Sequence, residues 1–149
     1  MVLADIYRKF HEEDWYRKLL EYLDERYDSI EERYMDTFRY VSPKHQKAKC
    51  FSYEFSSLLR DIGTLFDTVM KKIIVEASID VDENICGYLK HLKDNEENLD
   101  YYSVSFFEEY DNIIYPFKSD DSGVPRWWQA YNNMKHTELD DITDGNFKY

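Results

Sequence analysis

The stretch Pro125-Arg126-Trp127-Trp128-Gln129-Ala130-Tyr131-Asn132-Asn133-Met134-Lys135-His136 holds the residue types best suited to chemistry in this chain. An imidazole such as His136 exchanges a proton near neutral pH, and an amide such as Asn132 can orient it or hold a ligand oxygen. On a helix, Trp128, Asn132, Lys135 and His136 share one face, while Trp127, Tyr131 and Met134 share another. The first face sets an amide, an amine and an imidazole beside an indole. The second is aromatic and reads as core. A plainer alternative puts the tryptophans in the core and bonds Asn132 and His136 to nearby backbone; spacing alone favours that alternative.

Other chemistries lack their residues. The chain has no glycine-rich phosphate loop and no Cys-x-x-Cys pair, and no Glu-x-x-His pair of the di-iron kind. It also has no Gly-x-Ser-x-Gly elbow. His11-Glu12-Glu13-Asp14 begins like a zinc-protease helix but lacks the second histidine, so it reads as a solvated helix turn. No metal and no cofactor are expected. Carboxylate pairs abound, but among 31 acidic residues their proximity carries little information.

The formal net charge of -12 opposes nonspecific binding to nucleic acid, which needs cations against phosphates, and docking on an anionic membrane. The most basic stretch, Lys44-His45-Gln46-Lys47-Ala48-Lys49, could touch phosphate but reads better as a solvated connector. Met1 to Phe10 carries Asp5, Arg8 and Lys9 and does not resemble a secretory signal. No apolar run approaches the roughly 20 residues that span a bilayer. A cytoplasmic location with reduced Cys50 and Cys86 is the expectation.

The elements that must position the candidate site read as helices. The 149 residues fit one domain, residues 1–149, and scarce Pro and Gly favour long helices. Residues 5 to 40 read as one long helix or two joined ones. Ile6, Phe10, Trp15, Leu19, Leu20, Leu23, Tyr27, Ile30, Tyr34 and Phe38 form its apolar face, and runs such as Glu31-Glu32-Arg33 a solvated one. Ser42-Pro43 ends it. The clearest helix, Phe51 to Ile73, carries Phe55, Leu58, Leu59, Ile62, Leu65, Phe66 and Val69 and should be central. Ser52 is its expected cap, and Gly63 inside it suits a close helix crossing. Asp80 or Asp82 is expected to cap a third helix bearing Ile85, Tyr88, Leu89 and Leu92. Tyr101 to Tyr110 is expected to be another helix, packing through Val104, Phe107 and Tyr110. Ile113 to Phe117 reads as extended, with Pro116 arguing against a central strand. Pro125 to His136 is the last sure helix, since proline suits a first turn. The fold class is all-α, a bundle of about four to six helices.

The stretch Trp127-Trp128, Tyr131-Asn132 and Lys135-His136, after the helix opening Phe51-Ser52-Tyr53-Glu54-Phe55 and Leu58-Leu59, resembles bacterial HEPN-like proteins. These helical bundles are named for nucleotide binding in higher eukaryotes and prokaryotes. The resemblance covers roughly Phe51 to Asn146. It implies a HEPN-like bundle in a bacterial defence or stress system. Many such proteins are metal-independent ribonucleases whose site pairs an arginine with a histidine a few residues later, across a homodimer. By that resemblance His136 matches the family histidine and would act as acid and base. Asn132 matches the polar residue that follows the arginine and would position the substrate. Tyr131 stands where the arginine would be, and Arg126 lies outside the family spacing. Arg126 or Lys135 would have to neutralise phosphate, with Trp128 beside them. The departure at Tyr131 predicts weak or no general ribonuclease activity.

The expected partners are therefore RNA, a nucleotide or a partner protein bound through Arg126 to His136, with a homodimer expected and no membrane. The resemblance also implies a further packing helix near the end of the chain, so that the chain is expected either to be shortened there or to leave an apolar groove uncovered. In the second case a groove lined by Trp127, Tyr131 and Met134 would form an interface with a second copy or a partner. The competing readings are a non-catalytic interaction module and an acidic nucleic-acid mimic. A basic cleft around His136, an apolar patch or an acidic stripe would favour the three in turn.

Overall fold

A computed structural model describes residues 8–40, 53–105 and 113–136, with the side chains of Ser105 and His136 outside that description. The protein is mainly helical. Helix α1 is Asp14–Thr37, α2 is Tyr53–Glu76, α3 is Ile85–Asn95 and α4 is Arg126–His136. A short 3-10 turn, Leu99–Tyr101, follows α3. Strands β1, Val104–Ser105, and β2, Ile113–Ile114, pair antiparallel with Val104 opposite Ile114. Helix α2 is central, packing against α1, α3 and α4.

The ends of these helices follow from local hydrogen bonding. Residues 8–10 are helical and a turn at 11–13 separates them from α1, so of the two expected arrangements, one long helix or two joined ones, the described residues show the second. Asn84, rather than Asp80 or Asp82, caps α3: its extended backbone lets the side-chain oxygen accept from Gly87 N at 3.1 Å. Helix α2 ends on Ser78 in the left-handed region at φ 52, and Ile79 N reaches back to Ile74 O at 2.9 Å. The expected helix from Tyr101 is corrected over its described part. Its first residues instead close the 3-10 turn and enter β1, where Val104 pairs with β2. Pro116 lies beyond that ladder, in a turn. Ile6, Ser42-Pro43, the Lys44 to Lys49 stretch, Ser52, Phe107, Tyr110 and residues 137–149 lie outside the described residues.

One core lies between α2, α3 and α4, built on Met70, Ile74, Tyr88, Leu89, Leu92, Leu99, Trp128 and Tyr131. Phe66 packs edge-on to Trp127, Trp128 and Tyr88 at centroid separations of 5.5, 5.9 and 6.2 Å. Each such aromatic pair adds about 0.5–1.5 kcal/mol beyond area burial. Tyr88 is fully buried, and its hydroxyl donates to Asp67 Oδ1 at 3.0 Å, so burial leaves no orphan donor there. Gly63 is buried where α4 crosses α2; a Cβ on it would land on the Tyr131 ring at Cγ and Cδ2. The close crossing expected from this glycine is therefore present.

A second, smaller core joins α1 to α2 through Leu19 and Ile73, with Trp15, Tyr16 and Val69 around them. Near the other end of α1, Arg33 reaches into α2. Its Nε donates to Glu54 Oε1 and its Nη2 to Ser57 Oγ, each at 2.9 Å, and its Nη1 donates to Asp61. Leu19 beside Ile73 and Arg33 beside Glu54 make the two helices antiparallel. Arg33 is thus a cross-helix anchor and not part of a solvated charge run. Leu20, Ile62 and Tyr27, expected on the buried faces, are 38%, 42% and 55% exposed.

Candidate functional site

Helix α4 is held at its head by a polar turn. The Pro125 carbonyl accepts from Trp128 N at 3.0 Å and Gln129 N at 3.3 Å, and Ser119 pairs with Pro125 in an antiparallel bridge. Asp120 Oδ1 accepts from Ser122 N at 2.8 Å and from the Ser122 hydroxyl. Its Oδ2 accepts from Gln129 Nε2 at 2.8 Å. The Ser122 hydroxyl, the Ser122 amide and Gln129, aided by the nearby Arg126 charge, hold the Asp120 carboxyl below its ordinary value. Trp127 Nε1 donates to Pro116 O at 2.7 Å, which ties α4 to the segment after β2.

The expected site residues are spread along this helix. Arg126 is exposed at its first position, and Lys135 is exposed near its last, with Nζ 5.8 Å from the Tyr131 ring centroid. Asn132 is half-buried between them. His136 closes the helix, and its side chain lies outside the described part. At 1.5 Å per residue, Arg126 and His136 stand about 15 Å apart along the axis. Asn132, Lys135 and His136 do share one face, at steps of three and four.

Trp128 is not a surface binding residue. It is 5% exposed and packs against Tyr131 at 5.0 Å and Trp127 at 5.5 Å. The inward sector of α4 is wider than the expected Trp127–Tyr131–Met134 face and takes in Trp128 and Ala130 as well. Tyr131 and Met134 are each 3% exposed, so they do not line an uncovered groove. Helix α2 fills that space with Gly63 and Phe66.

Two further features carry electrostatic weight. His91, on the inner side of α3, is 6% exposed, and burial lowers its basicity below the ordinary histidine value. It follows the buried Tyr88 by three residues, a spacing that marks it as inward-facing. On α1, Glu21, Asp24, Glu25, Asp28, Glu31 and Glu32 are all exposed. At about 100° per residue they fall within an arc of roughly 120°. Arg26, between them in sequence, turns away and lies over the Tyr22 ring at 5.7 Å. The outer face of α1 is an acidic stripe.

Among the described residues, no three His, Cys, Asp or Glu side chains are grouped as a metal site requires. No described helix is long and apolar enough to cross a membrane. Comparison of the chain with family models, curated proteins and solved structures finds no match.

Proposed function

We propose that this chain is a HEPN-like helical protein of a bacterial defence or stress system. In this reading it works in the cytoplasm, binding RNA, a nucleotide or a protein partner through the Arg126–His136 region, and does not cleave RNA by itself. The observation that carries this is the course of α4. It is one uninterrupted helix, with Arg126 at its head and Lys135 and His136 at its tail. Tyr131, where the resembled family would have its arginine, is buried against Gly63. Metal-independent cleavage of the resembled kind needs an imidazole and a guanidinium on one phosphate. Lys135 is a poor substitute, because an ammonium lacks the bidentate fork. What α4 offers outward is Asn132 and Lys135 side by side near its tail, with Arg126 exposed separately at its head, and these polar groups suit holding a partner, a second copy of the chain included.

The test is incubation of the purified chain with single-stranded RNA, beside His136→Ala. The expected result is no cleavage above background for either protein. Robust cleavage by the wild type, lost in His136→Ala with unchanged circular dichroism, overturns the proposal and installs His136 as a catalytic residue.

The acidic stripe on α1 favours a second reading, a nucleic-acid mimic whose carboxylates imitate phosphates toward a basic partner. Such binding would weaken steeply with salt. It would be lost on replacing Asp24, Asp28 and Glu32 with their amides, whereas α4 variants would leave it intact.

A further inference from the structure

Between the first half of α1 and the last half of α2 lies a cleft of about 680 Å³, far from α4 in the sequence and sharing no residue with it. Trp15, Leu19, Tyr22 and Val75 give it apolar and aromatic walls. Lys18, Lys71 and Lys72 also line it, and their side chains are 71, 57 and 45% exposed, so their ammonium groups stand in water at its mouth. Two carboxylates line it as well, and both are engaged. Asp14 is shared by Lys18 and Arg17, and Asp67 accepts from the Tyr88 hydroxyl. In a chain of net charge -12, this cleft brings three lysines to one mouth, against two carboxylates in its lining. Lys71 and Lys72 otherwise pair with Glu83 and Glu76 at 3.3 and 2.5 Å. Such exposed pairs are worth little, so an incoming anion displaces them at small cost. The volume lies in the range of small-molecule sites, which combine apolar walls with a few polar groups that orient the ligand.

We propose that this cleft binds a small amphipathic organic anion. Its apolar body lies against Trp15, Leu19 and Tyr22, and its single carboxylate, sulfonate or phosphate head sits between Lys71 and Lys72. The probe is anilinonaphthalene sulfonate, with neutral phenylnaphthylamine as its uncharged counterpart, titrated into the full chain. Val75 is 50% exposed, so Val75→Trp fills the cleft from a position the core does not need. The expected result is saturable one-to-one binding with energy transfer from Trp15, abolished in Val75→Trp. Binding should be about tenfold weaker in Lys71→Glu/Lys72→Glu and for the neutral counterpart. Circular dichroism confirms that each variant is folded, and the lysine pair carries the test alone if Val75→Trp loses helicity. Non-saturable binding, unchanged affinity in folded Val75→Trp or in the lysine variant, or equal affinity for the neutral probe overturns the proposal.

Discussion

Replacing Gly63 with alanine sets two effects of opposite sign against each other. Inside a helix the change should stabilise by about 1 kcal/mol, because alanine loses less backbone entropy. Against that stands the crossing with α4. The new methyl would occupy the space of Tyr131 Cγ and Cδ2, which are atoms at the root of a rigid ring and not a flexible tip. The ring cannot swing away freely, since Tyr131 is 3% exposed and packed on Trp128 at 5.0 Å. Overpacking of this kind costs about 1–3 kcal/mol, and rigid surroundings place it at the upper end. The net expectation is destabilisation by about 1–2 kcal/mol, or a fall in Tm of roughly 2–8 °C for a chain of this size. Urea denaturation of wild type, Gly63→Ala, Tyr131→Leu and the double variant checks it. The two changes should be non-additive by about 1 kcal/mol, because the smaller side chain makes room for the methyl. A Gly63→Ala protein more stable than wild type would refute the reasoning, since helix propensity would then have outweighed the crossing.

Burial lowers the His91 basicity below its ordinary value of 6.5, so the unfolded chain takes up that proton first as pH falls. Its contribution to stability is complete above 6.5 and declines as pH drops through 6.5 toward the folded-state value. His91→Gln should flatten the change in urea midpoint between about pH 7 and pH 5, and an unaltered slope would remove His91 as its source. Arg33→Met keeps the stem but strips three acceptors of their donor, for an expected loss of about 1–3 kcal/mol in thermal unfolding. Arg33→Lys should recover only part of that, and a loss below ~0.5 kcal/mol in Arg33→Met would show the anchor to be idle. Trp128→Ala should cost about 3–5 kcal/mol as a core truncation. A near-neutral result there would return Trp128 to the binding surface.

The all-α class and the central place of α2 were legible because its apolar residues recur at helical steps over its whole length. Gly63 announced its crossing, since a glycine inside such a face gains nothing locally. Arg33 was misread because the run Glu31-Glu32-Arg33 looks uniformly polar. Yet Arg33 stands three residues after Ile30 and four before the buried Thr37, on the inward side. The cap of α3 had several candidates, and the choice depends on which residue adopts an extended backbone, here Asn84 at φ -148 and ψ 173. Val104 and Ser105 form a strand through pairing with Ile113 and Ile114, a contact across the chain that no local period reveals. At the candidate site, spacing put Trp128 on one face with Asn132 and Lys135, whereas Trp128 is buried, Asn132 half-buried and Lys135 exposed. The boundary of a helix face is set by the bulk of its neighbour, here Phe66 of α2, and not by its own sequence.

The Arg33 anchor also bears on alignment. Its acceptors Glu54, Ser57 and Asp61 follow one another on α2 at steps of three and four, a polar ladder along one edge. Apolar contacts such as Leu19 on Ile73 are forgiving, because a helix that slides by one turn meets another apolar side chain. The guanidinium is not forgiving: a slip of one turn, about 5.4 Å, would move it to one end of the ladder and out of reach of the carboxylate at the other. Arg33 therefore acts as a detent that selects one longitudinal setting of α1 on α2 from several of similar apolar burial. The shape of every surface shared by the two helices depends on that setting.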